Sequence, residues 1–152
     1  MKKRILALSI VLCVLLSGIA TIGLAKGTPE EAKGMVEKAI AFYKSQGKEK
    51  AFAEISDPKG QFMKEDIYVT VYDMNGTCLA RPVEKAMIGK NMMTLQDASG
   101  KFLIKERLEM VKAKGRGWQD YTFPHPVTHK WEPKTAYFDT YDNLVFTSGA
   151  YK

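Results

Sequence analysis

Between Gly115 and Tyr137 the run GRGWQDYTFPHPVTHKWEPKTAY gathers both tryptophans, two tyrosines, both histidines and three of the six prolines of a 152-residue chain. Trp118, Tyr121 and Tyr137 supply apolar walls with hydroxyl edges, and Lys134 supplies one cation. Apolar walls with a few polar groups are how small-molecule sites are commonly built. The same spacing also suits the plainer role of core packing for Trp118, Tyr121 and Trp131. Other chemistries lack their parts. His125 and His129 are four apart, but Pro126 between them keeps them off one helix face, and no second cysteine or acid cluster completes a metal set. Asp73, Asp97, Asp120 and Asp139 show no pairing at a spacing that implies acid/base work, and no nucleophile motif is present. No C-x-x-C-H run offers haem attachment, so no cofactor is expected and the chain does not read as an enzyme.

The elements that must position these residues are legible around them. Gly115-Arg116-Gly117 ends a helix, Trp118 to Phe123 is an aromatic strand, Pro124-His125-Pro126 turns the chain, and Trp131 to Asp139 returns as a second strand. Upstream, Thr28-Pro29-Glu30-Glu31 predicts a helix start, with Thr28 as N-cap, proline in the first turn and Glu31 closing a capping box. Ala32, Val36, Ala39, Ile40 and Tyr43 then recur at helical spacing until Gly47. A short helix follows over residues 48–55. Ile67 to Asp73 reads as a strand, and Asn75-Gly76 is the strongest hairpin signal in the chain, returning through Thr77 to Arg81. Residues 84–100 form a connection long enough to be functional. Phe102 to Lys114 is an amphipathic helix with Ile104, Leu108 and Val111 on its stripe, and Asp142-Asn143 turns into a last strand, Leu144 to Tyr151. Helix, two strands, a long crossover with a helix, then three strands is an α+β plan in which the long N-terminal helix packs on the sheet.

The first 25 residues stand apart. Met1-Lys2-Lys3-Arg4 is a basic start, Ile5 to Leu16 is almost unbroken apolar sequence, and small residues close at Gly23-Leu24-Ala25. This is the pattern of a signal peptide, or of an uncleaved N-terminal membrane anchor; either exports the remainder. Removing residues 1–25 takes Lys2, Lys3 and Arg4 and no acid, so the net charge falls from +6 to +3. The remaining charge is interspersed, with no polybasic run for nucleic acid. Cys13 lies in the leader, which leaves Cys78 alone and most simply a small apolar strand residue.

The series GWQDYTFPHPVTHKWEPKTAY with the final GAY resembles the single-Cache (sCache) sensor domains found outside the cytoplasm. Their G-W-x-D-Y, P-x-P-x-T, P-K-x-x-Y and closing G-x-Y motifs occur here in order. YVTVYDMNGTCLARP is similar to that family's first hairpin and IGKNMMTLQDASGKF to its pocket-covering segment. The resemblance spans residues 28–152 and implies a five-stranded antiparallel PAS-like sheet carrying a ligand site, with Tyr72, Trp118, Tyr121, Lys134 and Tyr137 at matching positions. Arg81 stands where the family often has histidine; if it faces the cavity its permanent charge favours an anion, and otherwise it is a surface arginine at a strand end. Alternation puts Lys134, Ala136 and Phe138 on one face and Thr135, Tyr137 and Asp139 on the other. For Lys134 and Tyr137 to share a cavity, Lys134 must lie in irregular backbone after Pro133, and that is the expectation.

Two cations and several phenol hydroxyls around a small apolar cavity point to a short carboxylate ligand such as acetate, propionate, lactate or pyruvate. At a ceiling of about −1.5 kcal/mol per heavy atom, acetate gains at most roughly −6 kcal/mol, or tens of micromolar, which suits a sensor. Members of the family signal through a second membrane helix and a cytoplasmic module. The expectation here is a free-standing periplasmic domain, contacting the membrane only through an uncleaved leader and passing its signal to a separate receptor or kinase. The competing readings are an exported interaction module, with exposed Trp131 beside Pro133 as its mark, and more remotely an exported enzyme.

Overall fold

The structure, a computed structural model, describes residues 26–152, so the leader at 1–25 lies outside the described residues. Helix α1, Pro29–Gln46, begins at the capping box that the sequence predicts: Thr28 Oγ1 accepts from Glu31 N at 3.1 Å, and Glu31 Oε2 accepts from Thr28 N at 2.9 Å. Gly47, at φ 82°, breaks the chain between α1 and α2, Lys48–Ile55. Six antiparallel strands follow: β1 Met63–Lys64, β2 Ile67–Asp73, β3 Cys78–Ala80, β4 Gly117–Pro124, β5 Trp131–Tyr141 and β6 Leu144–Tyr151. Helix α3, Leu103–Lys114, lies between β3 and β4. The sheet runs β1-β2-β6-β5-β4, with the short β3 also paired to β2. The sequence reading has five strands; the two-residue β1 is the addition, too short for periodicity to register.

Turn chemistry fixes the register. Asp142 and Asn143 both take left-handed φ values, 54° and 56°, the primed turn that matches strand twist in a two-residue hairpin, and β5 and β6 pair without a break from Tyr141↔Leu144 to Lys134↔Tyr151. At the first hairpin Gly76 alone turns left-handed, while Asp73 Oδ1 accepts from the backbone N–H groups of Asn75 and Thr77. The aspartate therefore shares with Asn75-Gly76 the work of closing that turn.

The sheet feeds two cores, one on each face. On one face Val69, Val71, Tyr137 and Phe146 pack against Val36, Ala39, Ile40 and Tyr43 of α1. On the other, Tyr72, Phe123, Phe138, Val145 and Tyr151 join Leu103, Ile104, Leu108 and Val111 of α3 with the crossover residue Met92. Cys78 is buried in this second core, and burial pushes its thiol pKa up, away from the reactive thiolate.

The crossover is pinned by Asp97. Its Oδ1 accepts from Ser99 Oγ (2.6 Å), Ser99 N (2.8 Å) and Lys101 N (3.0 Å), and its Oδ2 accepts from Thr122 N of β4 at 3.3 Å. Burial works to raise this carboxyl's pKa, but the converging donors outweigh it and hold the value down at about 2. Asp97→Ala leaves those N–H groups without their acceptor and is expected to cost about 1–3 kcal/mol. Amide hydrogen exchange should show faster opening of residues 95–101 than in the wild type; unchanged protection would mean that Asp97 is not the clasp.

Candidate functional site

Opposite α1, where β2, β6, β5 and β4 meet α3 and the crossover, a cavity of about 30 Å³ lies in the sheet face. That is room for about two waters as it stands. Strand pairing explains the lining: Tyr121 faces Lys134 and Thr70 faces Thr147, so residues of four strands converge on one side. Tyr68, Tyr72, Arg81, Arg107, Tyr121 and Lys134 supply its polar groups, with Leu95 from the crossover among its apolar walls.

Four of the six residues that the sequence points to, Tyr72, Arg81, Tyr121 and Lys134, line this cavity together. Trp118 and Tyr137 do not. They pair across β4 and β5 on the opposite face, ring centroids 5.2 Å apart, with Tyr137 in the core against α1 and Trp118 40% exposed. The expectation of irregular backbone at Lys134 is corrected as well: β5 is regular from Trp131, and Pro133 pairs with Thr122. Proline is tolerated because its missing N–H would point at Lys152, just past the last β5–β6 pair. Lys152 N still donates to Pro133 O at 2.9 Å, and Lys26 Nζ takes the Lys152 carbonyl at 3.0 Å instead. The plain alternation rule therefore holds through Lys134.

Lys134 is 3% exposed, with Nζ 4.5 Å from the Tyr68 ring centroid and 4.3 Å from that of Tyr151. Among the described residues no carboxylate forms an ion pair with it. Burial, and then the neighbouring guanidinium of Arg81, bring its pKa down to about 7; Arg107 acts in the same sense, while Asp66 and Glu84 oppose. Arg81 is 2% exposed and already engaged: Nε donates to Val83 O at 2.7 Å and Nη2 to Glu84 Oε2 at 2.7 Å. Arg81 is thus a buried cavity residue, held from outside by a half-exposed glutamate whose backbone is itself left-handed at φ 48°.

Arg107 escapes the sequence reading. It is 3% exposed, its Nε donates to Gln119 Oε1 at 2.9 Å, and its guanidinium lies 5.5 Å from the Tyr121 ring centroid. Its signal was a charge inside an apolar stripe: it falls three residues after Ile104 and four after Leu103. Tyr68 was available from the two-residue period as well, lying four before Tyr72 on the same strand face.

Burial pushes the pKa values of Tyr68, Tyr72 and Tyr151 up. Lys134 is then the cavity group that titrates near neutrality. Its folded pKa lies below the unfolded value, so the unfolded chain binds the extra proton between pH 7 and about 10.5. Unliganded stability from this group is full above that window and lost as pH falls through it. An anion that pairs with the ammonium form must take up a proton on binding, and its affinity should weaken roughly tenfold per pH unit above 7. Calorimetric titration of acetate between pH 6 and 9 checks this; a flat profile would place the anion away from Lys134.

A helix-backed antiparallel sheet with a cationic, tyrosine-lined cavity between its other face and α3 has the build of a small-molecule sensor module. Residues 22–151 match the single Cache domain 2 family, and the chain belongs to it. Among solved structures it is similar to a periplasmic sensor domain of a chemotaxis protein, at 25% identity and TM-score 0.64, over 80% of this chain and 88% of that one. It is also similar to a methyl-accepting chemotaxis protein from Vibrio parahaemolyticus RIMD 2210633 (21%, TM-score 0.69, 80% and 86%). A third is a Cache chemosensory domain described for carboxylic acid recognition (22%, TM-score 0.64, 80% and 86%). Among the described residues no helix is long and apolar enough to cross a membrane.

Proposed function

We propose that residues 28–152 form an extracytoplasmic sensor of short monocarboxylates, exported by the segment at 1–25 and reporting to a membrane receptor or kinase. The observation that carries this reading is a pair of buried cations, Lys134 and Arg107, that face one cavity with no carboxylate partner among the described residues. Buried charge without a counter-ion is costly, and a ligand anion supplies what is missing. The small volume favours ligands of a few heavy atoms. Arg81, buried in the cavity wall, adds selectivity, because an incoming carboxylate competes with the half-exposed Glu84 for its guanidinium. The likeness to a domain described for carboxylic acid recognition agrees with this reading.

A thermal-shift screen against millimolar acetate, propionate, lactate and pyruvate, with amino acids, amines, purines and divalent metals as competitors, tests it. At 100 times the dissociation constant a ligand adds about 2.7 kcal/mol, a shift of several degrees for a domain of this size. A carboxylate hit supports the sensor. A flat screen with a folded protein would favour the interaction module, for which Val127 (51% exposed) and Trp131 (53% exposed) at the hairpin tip are the supporting surface.

A further inference from the structure

We propose that the cavity captures 2-oxo acids covalently and reversibly, Lys134 Nζ forming an imine with the keto carbon while Arg107 holds the adjacent carboxylate; this rests on the carboxylate reading above. An imine needs an amine without a salt-bridge partner, a fixed anchor for the rest of the carbonyl compound, and exclusion of bulk water. Lys134 meets the first and third: it is 3% exposed, packed between the rings of Tyr68 and Tyr151, and paired with no carboxylate among the described residues. A lysine desolvated beside other cations is the setting in which an amine becomes nucleophilic near neutral pH, in accord with its lowered pKa.

Arg107 meets the second requirement. Its charge is permanent, its Nε bonds only the neutral Gln119 amide, and it lines the same cavity, whereas Arg81 is occupied by Glu84. A carboxylate on Arg107 leaves the lysine amine free, and in a 2-oxo acid the keto carbon is one bond from that carboxylate. Space points the same way. A C–N bond is roughly 2 Å shorter than a van der Waals contact, so a covalent adduct asks less of a cavity of about 30 Å³ than a merely docked ligand does. A second cavity of about 180 Å³, lined by Val83, Glu84 and His125, lies beside the first and shares Tyr68 with it.

The chemistry balances without an oxidant or reductant. The Nζ lone pair adds to the keto carbon, the C=O π pair moves to oxygen, and a proton passes from nitrogen to that oxygen to give a carbinolamine. A second proton, from solvent, converts the hydroxyl to water. Water leaves as the nitrogen lone pair forms C=N, and the iminium keeps the positive charge beside the carboxylate. Hydrolysis reverses every step.

The test is incubation of the protein with pyruvate or lactate, with and without sodium cyanoborohydride, read by thermal shift and by peptide mass mapping. Pyruvate plus reductant should leave a reduced adduct on Lys134, exceeding any other lysine by roughly tenfold or more, and a thermal shift that survives dialysis. Lactate should shift the midpoint without an adduct. Arg107→Gln keeps the amine but removes the anchor, and trapping at Lys134 should fall roughly tenfold. A pyruvate shift with no adduct, or with adducts scattered over surface lysines, overturns the imine and leaves the carboxylate reading standing. No shift by either acid and no adduct overturns both.

Discussion

Lys134→Met should abolish carboxylate binding and at the same time raise the unliganded protein's melting point. The two effects have one cause. Lys134 is buried without an ion-pair partner among the described residues, and its lowered pKa records that the fold disfavours the charged amine. Methionine keeps the length of the stem and removes the cost; replacing buried charge by apolar side chains is often stabilising by about 1–4 kcal/mol. Removing one partner from a buried ion pair costs about 3–5 kcal/mol, so acetate or propionate affinity should fall by at least about 100-fold. Thermal melts with and without ligand read both signs together. A variant that still binds carboxylates as tightly as wild type would place the site elsewhere, and one that merely melts lower would make Lys134 structural.

Gly149→Ala should damage both the sheet and the site. Gly149 pairs with Ala136 in the middle of β5–β6, and a β-carbon there would meet the Thr135 carbonyl oxygen at 2.7 Å, Lys134 Cε at 2.8 Å and Ala136 Cβ at 2.9 Å. The lysine stem could swing aside; the carbonyl and the alanine belong to a paired central strand and cannot move without disturbing it. Overpacking of this kind costs about 1–3 kcal/mol, several degrees of melting point for a domain this size. Because part of the clash falls on Lys134, carboxylate affinity should drop as well. Wild-type stability with lost binding would mean that only the lysine moved, and no change in either would show that β6 has slack at this point.

The sequence carries the order of elements because local signals set it: the Thr28–Glu31 capping box, Gly47 and Gly115 as helix stops, and the two polar turns each act within a few residues. Tyr72, Tyr121 and Lys134 were reachable because strand alternation and motif resemblance point to one side of the sheet. Trp118 and Tyr137 lie on the other side because the two-residue period of β4 and β5 outranks motif order in deciding which face a side chain takes. Whether a strand proline such as Pro133 disturbs pairing depends on what its nitrogen faces, here Lys152 just past the end of β6. Arg107 was hidden for a related reason. A helix shows its stripe in the sequence, but the cavity on which a stripe charge lands is decided by tertiary packing against β4.

The sheet has one more consequence. Lys134 and Thr135 are consecutive residues of β5, one facing the cavity and the other the side of α1, and Tyr137 joins the same helix-side core. The strand that carries Lys134 into the cavity and the helix's bearing surface are thus the same piece of backbone, seen from front and back. On the carboxylate reading, a shift or twist of β5 when its lysine acquires a counter-ion would at once displace the seat on which α1 rests.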